Sequence, residues 1–214
     1  MRSIYKIVVC SLLTLSITSC EKDLLEKEQY QKEIYLIGAY NRVWTTEVSY
    51  SNEEVKTYFT VSSSGTLALD RDVNVKMKIN EELVDIYNKK YWTVLNEDKY
   101  YKSLDTDLYS IPSLENTVIK HAEGISTEVP VLIKTASLKI DQSYVIPVEI
   151  ESTTGYPVST SGYKMLVLLK LKNEYSGSYQ MSGHTTLEGE TPKTIQKPKT
   201  IKPTGVNTVN YSMP

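Results

Sequence analysis

The segment VNVKMKI, Val73–Ile79, decides the fold of this chain because its apolar and polar residues strictly alternate. The apolar members are Val73, Val75, Met77 and Ile79. Successive side chains of a β-strand point to opposite faces, so an alternation with a period of two predicts a strand that is buried on one face and exposed on the other.

The segment that follows, NEELVDIYNKK, predicts a short helix from Glu81 to about Lys89. Asn80 is a favourable N-cap residue, and Glu81 and Glu82 would interact with the positive end of the helix dipole. Further residues then recur at helical spacing, namely Leu83, Ile86, Tyr87 and Lys90. We expect one helix directly after a half-buried strand.

The rest of the chain up to Lys172 is strand-like and rich in turns. Candidate strands lie at 33–40, 57–61, 117–120, 129–133, 143–150 and 163–172, and residues 41–56 are mostly polar. Pro130 and Pro147 fall inside two of these runs, so those strands are expected to lie at a sheet edge or to carry a bulge. Many short strands with one helix predict an all-β sandwich over residues 34–172.

Beyond Asn173 the composition changes. YSGSYQMSG, Tyr175–Gly183, predicts one more strand and a turn, whereas TPKTIQKPKTIKPTG, Thr191–Gly205, is rich in Thr, Lys and Pro. The second segment is interpreted either as an extended linker or as a loose hairpin. We expect residues 173–214 to be a second β-domain that is cut short, or an extended C-terminal segment.

Residues 1–19 have the features of a lipoprotein signal peptide. Arg2 and Lys6 precede an uncharged apolar run, Ile7–Ile17, which is shorter than the about 20 residues needed to cross a bilayer. The next residues resemble the lipobox of bacterial lipoproteins, in which a branched residue and two small residues precede a cysteine. In this chain they are Ile17, Thr18, Ser19 and Cys20. This resemblance implies cleavage before Cys20 and attachment of lipid to its thiol. The alternative is an ordinary signal peptide that contains a cysteine.

The residues after Cys20 predict both a tether and the cellular location of the protein. Glu21 and Asp23 resemble the acidic signal that carries Bacteroidetes lipoproteins to the outer face of the outer membrane. Residues 20–33 would then be the lipidated N-terminus and a solvated tether. We expect an outer-membrane protein that is anchored through Cys20 and faces the cell exterior.

The composition excludes several classes of partner and chemistry. The net charge is −2, with 24 basic and 26 acidic residues, so no global field favours nucleic acid. His121 and His184 are far apart in sequence and lack cysteine or carboxylate partners at metal-ligand spacing. We therefore expect no metal and no cofactor. Tyrosine is over-represented, with 17 residues against one Phe and two Trp.

The order of several motifs resembles one known domain. These motifs are GT, DVNVKMKINEELVDIYNKK, LYSIP, VIKHAEG, VPVLI and SYVIPVEI. Over Tyr35–Lys172 the chain is similar to the N-terminal domain of Bacteroidetes outer-membrane lipoproteins that is known as domain of unknown function 1735. The most specific positions are Leu83, Val84, Asp85, Tyr87, Asn88, Tyr144, Pro147 and Val148. The segment KKYWTVLNEDKYYKSLDTD is longer than the family pattern, and KHAEG replaces its usual small residues.

This resemblance implies an immunoglobulin-like β-sandwich in a secreted, lipid-anchored protein. It also implies a setting close to polysaccharide-utilisation machinery, with an outer-membrane transporter complex as a partner. Relatives commonly carry a further β-domain after the sandwich, and the segment from Tyr175 is similar to the start of one.

Catalysis is not expected in this chain. A glycosidase needs two carboxylates held across a pocket, about 5 to 10 Å apart. Carboxylates are concentrated in one polar loop, at Glu97, Asp98, Asp105 and Asp107, where solvation is their ordinary state. The sequence contains no nucleophile elbow and no glycine-rich phosphate loop.

Carbohydrate binding needs no catalytic geometry, because flat aromatic faces stack on sugar rings and neighbouring polar groups bind the hydroxyls. The candidates are Tyr91, Trp92, Tyr100, Tyr101 and Tyr109 after the helix, and Trp44. The alternative is that these rings pack the helix onto the sandwich. The sequence thus predicts a glycan-binding accessory lipoprotein or, as the alternative, a structural spacer or adhesin-like subunit without a ligand.

Overall fold

The structure is a computed structural model that describes residues 27–186, 188–189, 191 and 193–210. The predicted signal peptide, the lipobox residues and Cys20 lie outside the described residues.

The described part of the chain is mostly β. Its strands are β1 (Ile34–Leu36), β2 (Val43–Ser49), β3 (Glu54–Ser63), β4 (Val73–Ile79), β5 (Lys102–Ser103), β6 (Tyr109–Ser110), β7 (Thr117–Ile119), β8 (Ser126–Lys134), β9 (Tyr144–Thr153), β10 (Lys164–Lys172), β11 (Gly177–Thr185), β12 (Lys193–Gly205) and β13 (Thr208–Asn210). It also contains one α-helix, α1 (Glu82–Tyr91), and 3-10 turns at Ala39–Asn41, Val94–Lys99 and Thr106–Leu108.

Two sheets form the sandwich. The first has the strand order β1-β3-β8-β6, and the second has the order β2-β10-β9-β4-β7 with β5 beside β9. All pairs in the first sheet are antiparallel, whereas β2 runs parallel to β10 and β5 parallel to β9 in the second. The prediction of an all-β sandwich with one short helix is confirmed.

The core lies between the two sheets and follows the alternation of the strands. Val73, Val75 and Met77 are all buried, while the intervening Asn74 and Lys76 are exposed, as the period of two in β4 predicts. The largest fully buried side chains of the opposite sheet include Phe59, Ile34 and Ile133, and Ile146 of β9 is fully buried in the same sheet as β4. A smaller second core forms on the outer face of the second sheet, where the helix residues Leu83 and Val84 pack on Val145 and Leu166.

The two prolines inside strands have different surroundings. Pro130 lies opposite Tyr58 of β3, and β6 pairs with β8 only at Leu132 and Ile133, so the described strands leave the second side of Pro130 open, as expected for an edge. For Pro147 the edge alternative is wrong, because β9 is central, but β9 carries a bulge, which is the other predicted alternative.

The sheet accommodates Pro147 because β4 ends beside it. The carbonyl of Pro147 accepts a hydrogen bond from the backbone N–H of Asn80 at 3.0 Å, where the chain leaves β4 for α1. β4 does not continue past Pro147, so no hydrogen bond of this strand pair depends on the backbone N–H that proline lacks. The register shift in this strand pair lies at Lys76 and Met77, and it leaves Glu151 as the extra residue of β9.

The N-terminal half of the sandwich corrects one sequence-based prediction and adds a strand. The predicted strand 33–40 ends at Leu36, because Gly38 has a φ of 89° and an added Cβ there would lie 2.6 Å from Cε3 of Trp44. The segment 41–56, for which the sequence shows only a mostly polar composition, contains the edge strand β2. This strand pairs with β10, and most of its side chains are exposed.

The C-terminal segment forms a three-stranded sheet of order β11-β12-β13. Of the two alternatives for 191–205, the hairpin is correct, and β12 pairs with β11 from Gly177–Ile201 to Thr185–Lys193. The sheet is tied to the end of β10 by Asn173, whose Nδ2 donates to the carbonyls of Gly205 and Thr208, both at 2.8 Å.

Residues 27–33, the described part of the predicted tether, contact the loop between β3 and β4. Nζ of Lys32 donates to the carbonyl of Leu67 at 2.6 Å and also pairs with the carboxylate of Glu28. The lysine and the N–H of Thr66 lower the pKa of Glu28 to about 2. The chain is therefore fixed to this end of the sandwich from residue 28 onward.

Candidate functional site

Three tyrosines gather beside α1 and are called the tyrosine cluster: Tyr87, Tyr91 and Tyr101. Tyr87 and Tyr101 are partly buried against the small core under α1, whereas Tyr91 is exposed. The rings of Tyr87 and Tyr101 are stacked, with centroids 5.1 Å apart and an interplanar angle of 11°. The ring of Tyr91 lies 4.4 Å from that of Tyr87 and is tilted by 34°. Because Tyr91 and Tyr87 are one helical turn apart, the helix itself places both rings on one face.

Asn88 explains why Tyr101 meets the helix. Its buried side chain accepts a hydrogen bond from the N–H of Tyr101 and donates one to the carbonyl of Tyr101, both at 2.9 Å. These two bonds replace a strand partner for residue 101 and hold the long 92–101 segment against α1. The position of the tyrosine cluster therefore depends on one amide side chain.

The central ring of the tyrosine cluster, Tyr87, is uncharged. Burial raises the pKa of Tyr87 to about 12, and the neighbouring hydroxyl of Tyr101 adds to the shift. The phenol of Tyr87 thus stays protonated well above neutral pH.

A cleft of about 340 Å³ includes Tyr87 in its lining and is called the helix cleft. Its polar and aromatic lining consists of Tyr40, Arg42, Tyr87, Thr160, Ser161, Tyr163 and Lys164. Its floor is apolar and includes Leu83 and Leu166. Because Tyr87 belongs to both features, the helix cleft and the tyrosine cluster form a continuous surface around α1.

Backbone geometry around β2 shapes the helix cleft. Arg42 adopts a left-handed conformation, with φ 63° and ψ −19°, at the end of the 3-10 turn Ala39–Asn41. Its carbonyl accepts the N–H of Leu166 at 2.8 Å, which joins this turn to β10. The turn leaves Tyr40 with 90% of its surface exposed. Lys164, at the start of β10, places its Nζ 4.8 Å from the ring centroid of Tyr163.

Only part of the predicted set of glycan-binding aromatic residues comes together. Tyr91 and Tyr101 join the tyrosine cluster. Trp92 follows α1 with a half-buried ring, its Nε1 is buried without a hydrogen-bond partner, and Nζ of Lys99 lies 5.7 Å from the ring. Tyr100 is half-buried, and its carbonyl accepts a bond from Gln142 at 3.2 Å.

Two further candidates lie apart from this group. Trp44 sits on β2, packs over Gly38 and is 38% exposed, but it is not part of the lining of the helix cleft. Tyr109 lies in β6 of the opposite sheet and packs on the main core, where burial raises the pKa of its hydroxyl to about 12. Tyr109 therefore belongs to the main core and not to a binding platform. The alternative that the rings pack the helix onto the sandwich describes Tyr101, which is partly buried against the small core under α1.

Sequence reasoning missed Tyr40, Arg42 and Tyr163. They lie in two separate parts of the chain, around residues 40–42 and at residue 163, and the parallel pairing of β2 with β10 brings these parts together. A local signal existed only for Tyr40, because it follows the Gly38 turn in EIYLIGAY.

A second cleft, of about 510 Å³, lies between the outer face of β10 and the C-terminal sheet. Its charged lining comprises Glu47, Lys170, Lys172 and Lys202, and none of the described aromatic side chains lines it. Lys170 and Lys172 are both paired with Glu47. The helix cleft is therefore the stronger candidate for a site that uses stacking.

The described residues contain no group of three or more histidine, cysteine or carboxylate side chains that could hold a metal ion. His121 bonds to Asp72, with 2.6 Å between Nδ1 and Oδ1, and this contact lowers the pKa of the Asp72 carboxyl. The predicted loop carboxylates Glu97, Asp98, Asp105 and Asp107 are all exposed. Among the described residues, no helix has the length and apolar character needed to cross a membrane.

The fold defines a β-rich protein in which a two-sheet sandwich precedes a smaller three-stranded sheet. A family model of an N-terminal domain matches residues 30–157, and a model of a C-terminal domain matches residues 163–212. Because the first model covers more than half of the chain, the chain belongs to the family that this N-terminal domain defines. No curated protein matches the chain.

Solved structures of Bacteroides proteins share the fold at low identity. A multidomain protein including domain of unknown function 1735 from Bacteroides ovatus is 20% identical, with a TM-score of 0.56, over 79% of this chain and 55% of its own. An auxiliary nutrient binding protein from Bacteroides thetaiotaomicron is 16% identical, with a TM-score of 0.53, over 78% of this chain and 57% of its own.

A third protein, from Bacteroides ovatus, is described as a candidate carbohydrate-binding protein. It is 16% identical, with a TM-score of 0.51, over 74% of this chain and 43% of its own. The chain thus spans about half the length of these three relatives.

Proposed function

We propose that this chain is a non-catalytic glycan-binding accessory module of polysaccharide utilisation, and that it binds sugar at the tyrosine cluster and the helix cleft. The observation that carries the proposal is the continuous surface in which Tyr87 links the two features. Stacked and exposed aromatic rings beside hydroxyl and cationic side chains are the arrangement that sugar binding requires.

The relatives support this proposal through their descriptions. Two proteins that share the fold are described as binding carbohydrate or nutrients. The similarity to a multidomain protein with domain of unknown function 1735 agrees with the resemblance of residues 35–172 to that domain. A non-enzymatic role is consistent with the exposed, separate carboxylates of the 97–107 loop.

Loss of two exposed rings tests the site. The chain from residue 20 onward, produced without lipid, is screened on a glycan array, and its Kd for the captured glycan is measured by calorimetry. The double variant Tyr40→Ala with Tyr91→Ala should bind at least about tenfold more weakly, which corresponds to roughly 1.4 kcal/mol. Both side chains are exposed, so removing them should leave the fold intact.

A matched tyrosine on another part of the chain provides the control. Tyr179 of β11 is similarly exposed, and Tyr179→Ala should keep the affinity of the unmodified protein. Retained affinity in the double variant would exclude the proposed surface. If the unmodified protein captures no glycan, the function proposed here is wrong and the spacer or adhesin-like alternative is favoured.

We propose further that the chain is anchored in the outer membrane through lipid on Cys20 and faces the cell exterior, close to a polysaccharide transporter complex. The support is the lipobox-like sequence Ile17–Cys20 with Glu21 and Asp23 after it. Residues 28–32 bind one end of the sandwich, whereas α1 follows the opposite end of β4. An anchor at the first end would direct the helix cleft away from the membrane.

A Cys20→Ala change should move the protein from the membrane fraction to the soluble fraction of the cells that produce it. Loss of the thiol removes the atom that would carry the acyl chains, and each buried methylene contributes roughly 0.8 kcal/mol to anchoring. Cys10→Ala, which changes the other cysteine in the chain, should leave the distribution unchanged. A Cys20→Ala protein that stays in the membrane fraction would disprove lipid anchoring at this residue.

A further inference from the structure

The lysines on the outer face of the second sheet are paired with glutamates, with one exception. β4 and β10 together carry five lysines. Four of them form ion pairs: Lys76 with Glu151 at 2.7 Å, Lys78 with Glu149 at 3.4 Å, and Lys170 and Lys172 with Glu47 at 3.3 and 2.6 Å. The fifth is Lys164, in the helix cleft.

Lys164 has a carboxylate close by that is already bound. Glu149 stands directly opposite Lys164 in the pairing of β9 with β10. Its two oxygens contact Nδ2 of Asn80 at 2.5 Å and Nζ of Lys78 at 3.4 Å. Nζ of Lys164 instead lies over the ring of Tyr163.

Arg42 adds a second cation to the same cleft. Among the described residues its guanidinium has no ion pair or hydrogen bond, and no carboxylate lines the cleft. A cleft with two cations, three tyrosines and no acidic lining therefore carries an uncompensated positive charge beside stacking surfaces. Such a combination attracts an anion that also has a flat apolar face.

We propose that the helix cleft selects acidic sugars, with Arg42 and Lys164 binding the anionic group while a tyrosine ring packs on the sugar. This inference rests on the proposed function and adds the class of glycan to it. The guanidinium fork matches a planar carboxylate with two parallel hydrogen bonds, and the lysine contributes a point charge. A sulfated sugar shares this chemistry, so the anionic group is a carboxylate or a sulfate.

The backbone of Arg42 supports a role in binding. It is the only described non-glycine residue with a positive φ, in a conformation that glycine would adopt without strain. Strained residues persist where the surrounding structure or the function requires the side chain. An arginine at a position that favours glycine is explained if its guanidinium contacts a ligand.

The test compares acidic and neutral polymers on the same protein. The chain from residue 20 onward is titrated with polygalacturonate, with carrageenan, a sulfated galactan that has no carboxylates, and with neutral galactan, at low and moderate salt. We expect at least a tenfold preference for an acidic polymer that weakens as salt screens the cations. Arg42→Gly and, separately, Lys164→Met should each lose about tenfold in affinity for the acidic polymer, and Lys76→Met should lose none.

Melting temperatures separate binding from folding. Arg42→Gly should melt at the same or a higher temperature, because glycine relieves the left-handed strain, so weaker binding in that variant reports the lost cation. Preference for polygalacturonate assigns a carboxylate, and preference for carrageenan assigns a sulfate. Equal binding of neutral galactan would overturn the acidic class and leave the proposed function standing. Failure to bind any glycan, on these polymers and on the array, would overturn both.

Discussion

Replacing Phe59 with alanine is expected to lower the free energy of unfolding by about 3 to 5 kcal/mol. Phe59 is the only phenylalanine in the chain and is 1% exposed, between the two sheets. It lies on β3 opposite Val129 of β8, and both residues belong to the main core. Removing its ring would leave a cavity that two hydrogen-bonded sheets cannot close.

The neighbouring residue provides the control. Tyr58 points to the other face of the same strand and is 40% exposed, and Nζ of Lys56 lies 5.0 Å from its ring centroid. Tyr58→Ala should therefore cost less than about 1 kcal/mol. Urea denaturation of both variants gives the two values. Equal losses in the two variants would mean that β3 does not present alternate faces to core and solvent.

The alternation of apolar and polar residues predicts the strands that have one face on the core. β4 was predicted with its true bounds, and the segments that became β8, β9 and β10 were predicted in their central parts. In these strands one face packs on the core, so burial imposes the period of two on the sequence. The helix was predicted within one or two residues, because Leu83 and Val84 must face Val145 and Leu166.

The sequence does not predict elements whose position depends on distant pairing. β2 has an irregular burial pattern because it is an edge strand, and its partner β10 lies more than 100 residues further along. No local signal specifies a parallel pair. Pro147 in a central strand is tolerated only because β4 ends beside it, which also depends on the assembled sheet.

The candidate site also combines residues that have a local sequence signal with residues that only distant strand pairing brings together. Tyr91 was predicted to contribute because it lies in a dense aromatic segment, and Tyr101 joins it through Asn88. Tyr40 and Tyr163 could not be predicted, since the cleft that they share exists only after β2 and β10 have paired. Trp44 was predicted to contribute but packs over the Gly38 turn. Its residue type alone does not distinguish a ring that packs over a turn from one that lines a cleft.

Replacing Asn88 with alanine is expected to lower the free energy of unfolding by about 2 to 4 kcal/mol, because two buried backbone groups of Tyr101 lose their partners. The matched change Asn96→Ala removes one hydrogen bond, to Oγ1 of Thr93 in a more exposed turn, and should cost less than about 1 kcal/mol. Denaturation curves for the two variants give these values.

The Asn88→Ala variant also connects stability with the candidate site. Asn88 is only 5% exposed, so it does not contact a ligand, yet it holds Tyr101 in the stack with Tyr87. If the tyrosine cluster binds glycan, affinity should fall at temperatures where the variant is still folded, because Tyr101 is no longer fixed. Near-ultraviolet circular dichroism should change with it, since the stacked tyrosines separate. A destabilised variant with unchanged affinity would place glycan binding in the helix cleft alone, where Tyr40, Arg42 and Tyr163 do not depend on Asn88.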